Sequence, residues 1–299
     1  MKRVVVSLLA EQQEFQRLQA EDAREAGVRT GIEVEVFFAE NNTVRQIYHL
    51  LSCISAPEAE RPAAIFIEPV SSEGVERVAR SAAAAGIGWV SLSACPDYIA
   101  VLRREYPRLP ISAITIDNEA VGEIEAAQFR TLLPSGGNVA YLAGPLVSGS
   151  SIARRRSMER TLQGSNIKVV KVLFANWTEE GGQSATAAWL ANNPIPQQHW
   201  PHILGSQNDA MAVGARRALQ AAAGQRPLPL FTGCDGLPDG GKRLVAEKVL
   251  AATILKPPQG GRAVEMIAEA LRGKPTPASE VLAPVSIPAL DVLKSQTRR

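Results

Sequence analysis

Short runs rich in Val, Ile and Phe alternate with stretches of helical periodicity almost from one end of the chain to the other. The apolar runs fall at 4–9, 32–38, 63–67, 87–92 and 112–116, then at 138–143, 167–174, 202–205, 228–233 and 250–255. Between the first two, Phe15, Leu18, Asp22, Ala23 and Ala26 keep helical spacing, and Gly27 supplies a stop. Thr43 precedes a second helix carrying Val44, Ile47, Leu51 and Ile54. Further helices are expected near 119–132, 151–163, 179–192, 208–223 and 259–272. Strands that alternate with helices through short connections predict parallel sheets covered on both faces. About ten strands in two sets exceed what one doubly wound sheet usually holds. The expected fold class is therefore α/β, with two Rossmann-like lobes, each a five-stranded parallel sheet of order 2-1-3-4-5.

Composition removes several functions. With 299 residues, 45% of them hydrophobic, the chain is long enough to bury two cores of ordinary size. A net charge of +2 lacks the concentrated positive charge of a nucleic-acid binder. Three cysteines, Cys53, Cys95 and Cys234, lie far apart with no CxxC and read as unpaired thiols. His199 and His202 flank Trp200 and Pro201, a spacing that suits a loop and not a pair of metal ligands on a helix. No G-x-S-x-G elbow and no Walker sequence is present, and the first strand leads into Ala10-Glu11-Gln12-Gln13-Glu14, not a Gly-rich turn. The expectation is a protein without cofactor, metal or catalytic role. At the N-terminus, Val4–Leu9 is too short to span a bilayer and no A-x-A-like cleavage site follows it, which predicts a cytoplasmic chain if Met1 is the native start.

Four stretches of the second half carry polar residues where strands end. Gln207-Asn208-Asp209-Ala210-Met211 sits at a strand-to-helix junction, where Asn208 and Asp209 either cap the helix or meet a ligand. Gly233-Cys234-Asp235-Gly236 is followed by Leu250–Ile254 and then Lys256. Leu142-Ala143-Gly144-Pro145 leads through Ser148-Gly149-Ser150-Ser151 to Arg154-Arg155-Arg156, and Ala175-Asn176-Trp177-Thr178 ends another strand. Together these resemble the family of periplasmic sugar-binding proteins and lac-repressor-type effector domains, the type I periplasmic binding protein fold of ribose-binding proteins. The resemblance implies a ligand held between two lobes that close by hinge bending. It implies that Arg154 and Asn208 contact the ligand, that Asp235 accepts sugar hydroxyls and that Trp177 stacks on the apolar sugar face. Lys256 falls where ribose-type binders carry an amide, as a donor to hydroxyls or to an acidic group. Arg155 and Arg156 point elsewhere on the helix.

The first half departs from that pattern. Glu11 and Phe15 stand where such proteins carry Asn and paired aromatics, Glu68 replaces the usual Asn or Asp, and Ser93-Ala94 replaces Asp-Arg. Glu11, Phe15, Glu68 and Ser93 are the first-lobe candidates, and they speak against ribose itself but not against a related polyol or acidic sugar; the Ser/Gly loop that leads to Arg154 keeps a phosphorylated sugar open. The expected lobes are 1–117 with 257–284 and 118–256 with 285–299, crossing near Asp117, Lys256 and 282–286. The family implies periplasmic residence, an ABC-type sugar transporter's permease or a sensor kinase as partner, and a monomer. Two alternatives remain: a cytoplasmic ligand-sensing regulator subunit without a DNA-binding domain and, ranked last, a Rossmann-like enzyme.

Overall fold

The computed structural model describes residues 2–192, 195–222, 224 and 226–296. The chain divides into two compact units, Met1–Ile116 with Pro257–Leu282 and Asp117–Lys256 with Ala283–Arg299. It therefore passes from one to the other at 116/117, 256/257 and 282/283.

The first unit runs β1 (Arg3–Leu8), α1 (Glu14–Thr30), β2 (Glu33–Phe38), α2 (Thr43–Ser55), β3 (Ala64–Ile67), α3 (Val75–Ala84), β4 (Gly88–Leu92), α4 (Tyr98–Glu105) and β5 (Ile111–Ile116). The second unit supplies α5 (Asn118–Leu132), β6 (Gly137–Ala143), α6 (Gly149–Leu162), β7 (Ile167–Phe174), α7 (Glu179–Asn192) and β8 (Ile203–Ser206). It continues with α8 (Asp209–Ala222), β9 (Leu230–Thr232), the one-turn α9 (Arg243–Ala246) and β10 (Thr253–Leu255). Then α10 (Gly260–Leu271) and β11 (Ser279–Leu282) return to the first unit, and β12 (Val285–Ile287) and α11 (Leu290–Gln296) close the second.

The first sheet is parallel with order β11-β5-β4-β3-β1-β2. Its central strands are buried on both faces, which is why they read as unbroken apolar runs. Alternate residues split between two cores. Val4, Val6, Leu8, Phe66 and Val90 pack toward α1 and α10, while Val5, Ile65, Ile67 and Trp89 pack toward α2, α3 and α4. In the second unit Leu142 and Leu204 meet Met211, Ala215 and Leu219 of α8 on one face. Val139, Tyr141 and Ile203 meet Phe129, Met158 and Leu162 on the other.

Several expectations require correction. The first sheet has six strands, because Ser279–Leu282, which none of the expected strands covers, adds to β5. The second has four in the order β7-β6-β8-β9. Beyond β9 only isolated bridges, Thr232 to Ala252 and Asp235 to Leu255, continue the ladder, and β10 pairs with antiparallel β12 instead. Asp235 has φ 117°, a turn of the backbone that interrupts regular pairing there. Gly27 does not stop α1. The helix continues to Thr30 and ends on Gly31 at φ 71°; Gly27 is there because a Cβ would lie 2.7 Å from the Ile32 carbonyl. On α2 the buried face is Gln46, Leu50, Cys53 and Ile54, leaving Val44 and Leu51 exposed. Gln46 takes the inward position because its amide bridges Ser7 Oγ and the Glu68 carbonyl.

Candidate ligand-binding site

Each unit collects its chemistry at the carboxyl ends of its parallel strands, where open α/β sheets bind ligands. In the second unit five strand ends contribute. After β6, Gly144 opens a loop whose Ser148 caps α6 by accepting from Ser151 N–H. After β7 comes Trp177, at φ 68°, its ring laid against Gly144; a Cβ there would lie 2.1 Å from the indole, so only glycine admits this contact. After β8, Asn208 caps α8, accepting from Met211 N–H at 2.8 Å while its amide donates to the Trp177 carbonyl at 2.8 Å. After β9, Asp235 approaches Lys256, which follows β10, with Nζ to Oδ1 at 2.6 Å.

Arg154 occupies the middle of this set. Its Nε donates to Asn118 Oδ1 at 2.9 Å and its NH1 to the Gln207 carbonyl at 3.0 Å, with Cys234 Sγ at 3.9 Å. The guanidinium carbon lies 5.8 Å from the centre of the Trp177 ring, within cation–π range. Among the described residues, the hydrogen-bond acceptors of this buried side chain are all neutral. Gly122 of α5 allows this, since a Cβ would sit 2.2 Å from the Arg154 carbonyl and push α6 away. Arg155 pairs with Glu159, and Arg156 is exposed.

Asp209 behaves as structure. Its Oδ2 accepts from Gly236 N–H and its Oδ1 from Thr253 Oγ1, tying α8 to the turn after β9. Burial, and then the neighbouring Asp235 charge, push its carboxyl well above the ordinary range. The Cys234 thiol is pushed up to about 12 by burial, which keeps it neutral.

The first unit presents a separate cluster. Glu68 Oε2 accepts from Gln16 and Gln19 at 3.1 and 3.0 Å, and its Oε1 accepts from Ser93 Oγ at 3.0 Å. Gln259 joins it: its main-chain N–H donates to Gln19 Oε1, its amide donates to the Ile114 carbonyl, and its Oε1 lies 3.2 Å from Ser93 Oγ. The structure thus joins Glu68 with Ser93. Glu11 is exposed in the turn after β1, its carbonyl held by Arg17, and Phe15 is half-buried on α1.

Sequence reasoning missed Gln16, Gln19, Gln46 and Gln259, and, in the second unit, Glu125, Tyr141 and Gln207. A hydropathy pattern treats glutamine as surface, yet Gln16, Gln19, Ala20, Ala23, Ala26 and Gly27 form the buried face of α1. Glu125 was detectable: it lies four residues from both Val121 and Phe129, in the inner stripe of α5. His199 ends a short turn and His202 Nδ1 accepts from Asn138 N–H, consistent with loop positions.

Among the described residues, six that are not glycine have positive φ: Glu40, Asn41, Ser93, Trp177, Asp235 and Lys248. Three of these, Ser93, Trp177 and Asp235, are residues singled out from sequence for ligand contact. Backbone held in this region costs about 1–3 kcal/mol and clusters at functional sites.

Comparison with known proteins agrees with this architecture. The model of the periplasmic binding protein domain matches residues 4–275. The ribose import binding protein of Salmonella typhimurium is 26% identical over 84% of this chain and 79% of its own length. A putative rhizopine-binding protein of Rhizobium meliloti is 24% identical over 70% of this chain and 64% of its own. An ABC transporter periplasmic solute binding protein from Actinobacillus succinogenes, solved with D-allose, superposes with a TM-score of 0.82 at 23% identity, covering 100% of this chain and 99% of that one. The Caulobacter myo-inositol binding protein gives 0.76 at 23% identity, over 98% and 95% of the two chains.

Proposed function

The chain belongs to the periplasmic binding protein domain family, and from that premise we propose that it binds a small sugar or sugar-like ligand as the receptor of an ABC-type sugar transporter. The ligand lies at the carboxyl end of the second unit's sheet. Trp177 offers its ring to the C–H face of the sugar, and Asp235 accepts hydroxyls. Arg154, Asn208 and Lys256 donate to ring and hydroxyl oxygens. Glu11, Phe15, Glu68 and Ser93 are the first unit's contribution, and hinge bending at the three chain crossings accompanies binding. Among the described residues none of these groups is arranged as nucleophile and base, and the relatives are named as binding proteins, which supports binding as the reading.

The observation that carries this reading is the strained backbone at Trp177 and Asp235, φ 68° and 117°, after the two edge strands β7 and β9 of the same sheet, with the Trp177 ring beside buried Arg154. Sugar-binding relatives with the same family domain support the ligand class. The test is calorimetric titration with D-ribose, D-allose, L-arabinose, D-fructose and myo-inositol, with acidic and phosphorylated sugars beside them. Saturable binding of at least one, abolished or weakened at least tenfold by Asp235→Ala, is expected. Absence of binding across the panel overturns the reading.

A further inference from the structure

A fully buried hydrogen-bond chain runs from the core of the second unit to the residues proposed to hold the ligand. Tyr141 Oη donates to Glu125 Oε2 at 2.7 Å and accepts from Gln207 Nε2 at 2.9 Å. The same Gln207 amide donates to the Ser151 carbonyl at 2.9 Å, and its Oε1 accepts from Gly144 N–H at 2.8 Å. Its main-chain carbonyl takes Arg154. One glutamine thus ties the start of the Gly144 loop, the first turn of α6 and the guanidinium, and its amide orientation is set jointly by Gly144 N–H, the Ser151 carbonyl and the tyrosine behind it. Glu125, Tyr141 and Gln207 are all buried. Glu125 Oε1 is buried with no hydrogen-bond partner among the described residues, a costly arrangement in a core that an apolar residue would fill without penalty.

We infer that Glu125 is a positioning residue for the ligand site: by holding the Tyr141 hydroxyl it fixes Gln207, and through Gln207 it fixes Gly144 and Arg154 in the geometry that binds a neutral sugar. This rests on the proposed function above. An ionised carboxylate is the stronger acceptor, since charge-assisted hydrogen bonds are roughly twice as strong as neutral ones. Once protonated, Glu125 holds Tyr141 only weakly, and the amide behind the site loosens.

The surroundings make the switch fall in an accessible range. Burial raises the Glu125 carboxyl to about 7, while Tyr141 on β6 and Arg154 on α6 pull it down. The buried Cys234 thiol, which the Glu125 charge reaches, is pushed up to about 12, chiefly by burial, and stays neutral. Of the other elements packed on α5, β10 and β12 carry no titratable side chain, and Asp291 and Lys294 of α11 are exposed.

The experiment is calorimetric titration of the full chain with D-ribose, D-allose and myo-inositol between pH 5.5 and 8.5, for wild type, Tyr141→Phe and Glu125→Gln. For the neutral sugar that wild type binds, affinity should fall about fivefold from pH 8 to pH 5.5. Tyr141→Phe, which removes one hydroxyl and little volume, should bind about fivefold more weakly at pH 8 and lose the pH dependence. Glu125→Gln should also be flat. A wild-type affinity constant across this range, or Tyr141→Phe with unchanged affinity and only a lowered melting temperature, overturns the proposal while sugar binding stands. The wild-type profile decides even if a variant does not fold. If wild type binds none of the three, the neutral-sugar reading itself fails and this proposal falls with it.

Discussion

Lys256 Nζ lies 2.6 Å from Asp235 Oδ1, with the two side chains only 15% and 18% exposed. Each is attached to a different strand end, so the pair also fastens the turn after β9 to the last residue before a chain crossing. Partial burial makes the charges interdependent: removing one partner leaves the other less well compensated where water reaches it only in part.

The first prediction follows from that dependence. Lys256→Met and Asp235→Asn should each destabilise the protein, and the double variant should lose less than the sum of the two. A coupling of about 1–3 kcal/mol is expected for groups in direct contact. Urea unfolding of the four proteins measures it. Strict additivity would mean that the pair forms without mutual stabilisation and that Asp235 is free for a ligand.

A second prediction concerns the ring beside Gly144. Trp177→Ala should weaken sugar binding by roughly 1–3 kcal/mol, the scale of an aromatic contact plus lost burial. Gly144→Ala keeps the ring but places a methyl 2.1 Å from it, so the indole must move. Both variants should bind at least about fivefold more weakly, which is about 1 kcal/mol. Titration calorimetry beside thermal melts separates the roles. Intact affinity with a lowered melting temperature assigns Trp177 to the core edge.

These expectations rest on a fold that was largely visible in the sequence. The parallel central strands are buried on both faces, so their apolar runs stood out, and the strand-to-helix rhythm implied the alternation. Period-2 splitting across β1, with Val4 and Val6 on one core and Val5 on the other, cannot be seen in an unbroken run. Helix faces lined by polar side chains were misread. Gln16, Gln19 and Gln46 face inward because they find partners on Glu68, Ser7 and main-chain groups that exist only after the strand ends are brought together. The same cause hid the Gln207 network. The positions of Arg154, Trp177, Asn208 and Asp235 at strand and helix ends were legible because turns and caps leave local marks. Their mutual distances depend on Gly122 and Gly144, whose meaning is contact across elements.

A third prediction links Glu125 to stability. Its carboxyl rises from 4.5 to about 7 on folding because it is buried. A raised acid contributes stability that is complete below its unfolded value and lost as pH rises through its folded value. The folded protein should therefore lose on the order of 3 kcal/mol between pH 4.5 and 7 through this group. Glu125→Gln should abolish that part of the slope. Asp22 and Asp209 are also raised and His49 is lowered by burial, so the wild-type curve mixes several groups. The difference between wild type and Glu125→Gln in urea unfolding, measured from pH 4.5 to 8.5, isolates one. A difference that does not vary with pH would show that Glu125 has the same protonation in both states.

The last prediction concerns the charge of the ligand. Of the two cations Arg154 and Lys256 of the second unit, Lys256 is paired with Asp235, whereas the acceptors of Arg154 among the described residues are Asn118, the Gln207 carbonyl and Cys234. A buried guanidinium satisfied by neutral acceptors retains a positive field that a neutral sugar does not use. An acidic sugar or sugar phosphate does use it, through bonds roughly twice as strong as neutral ones, so its affinity should exceed that of the neutral parent by at least about tenfold. Arg154→Met should erase this preference, although it should weaken the neutral parent too. Salt should reduce the preference less than it would at a surface site, because a buried charge is poorly screened. A thermal-shift panel of D-ribose, D-ribose 5-phosphate, D-glucose and D-glucuronate at pH 8, in low and high salt, reads it directly. Stabilisation by the neutral members alone would mean that the carboxylates Asp235 and Glu125 already balance Arg154. The site would then be built for an uncharged sugar, with Arg154 serving its hydroxyls.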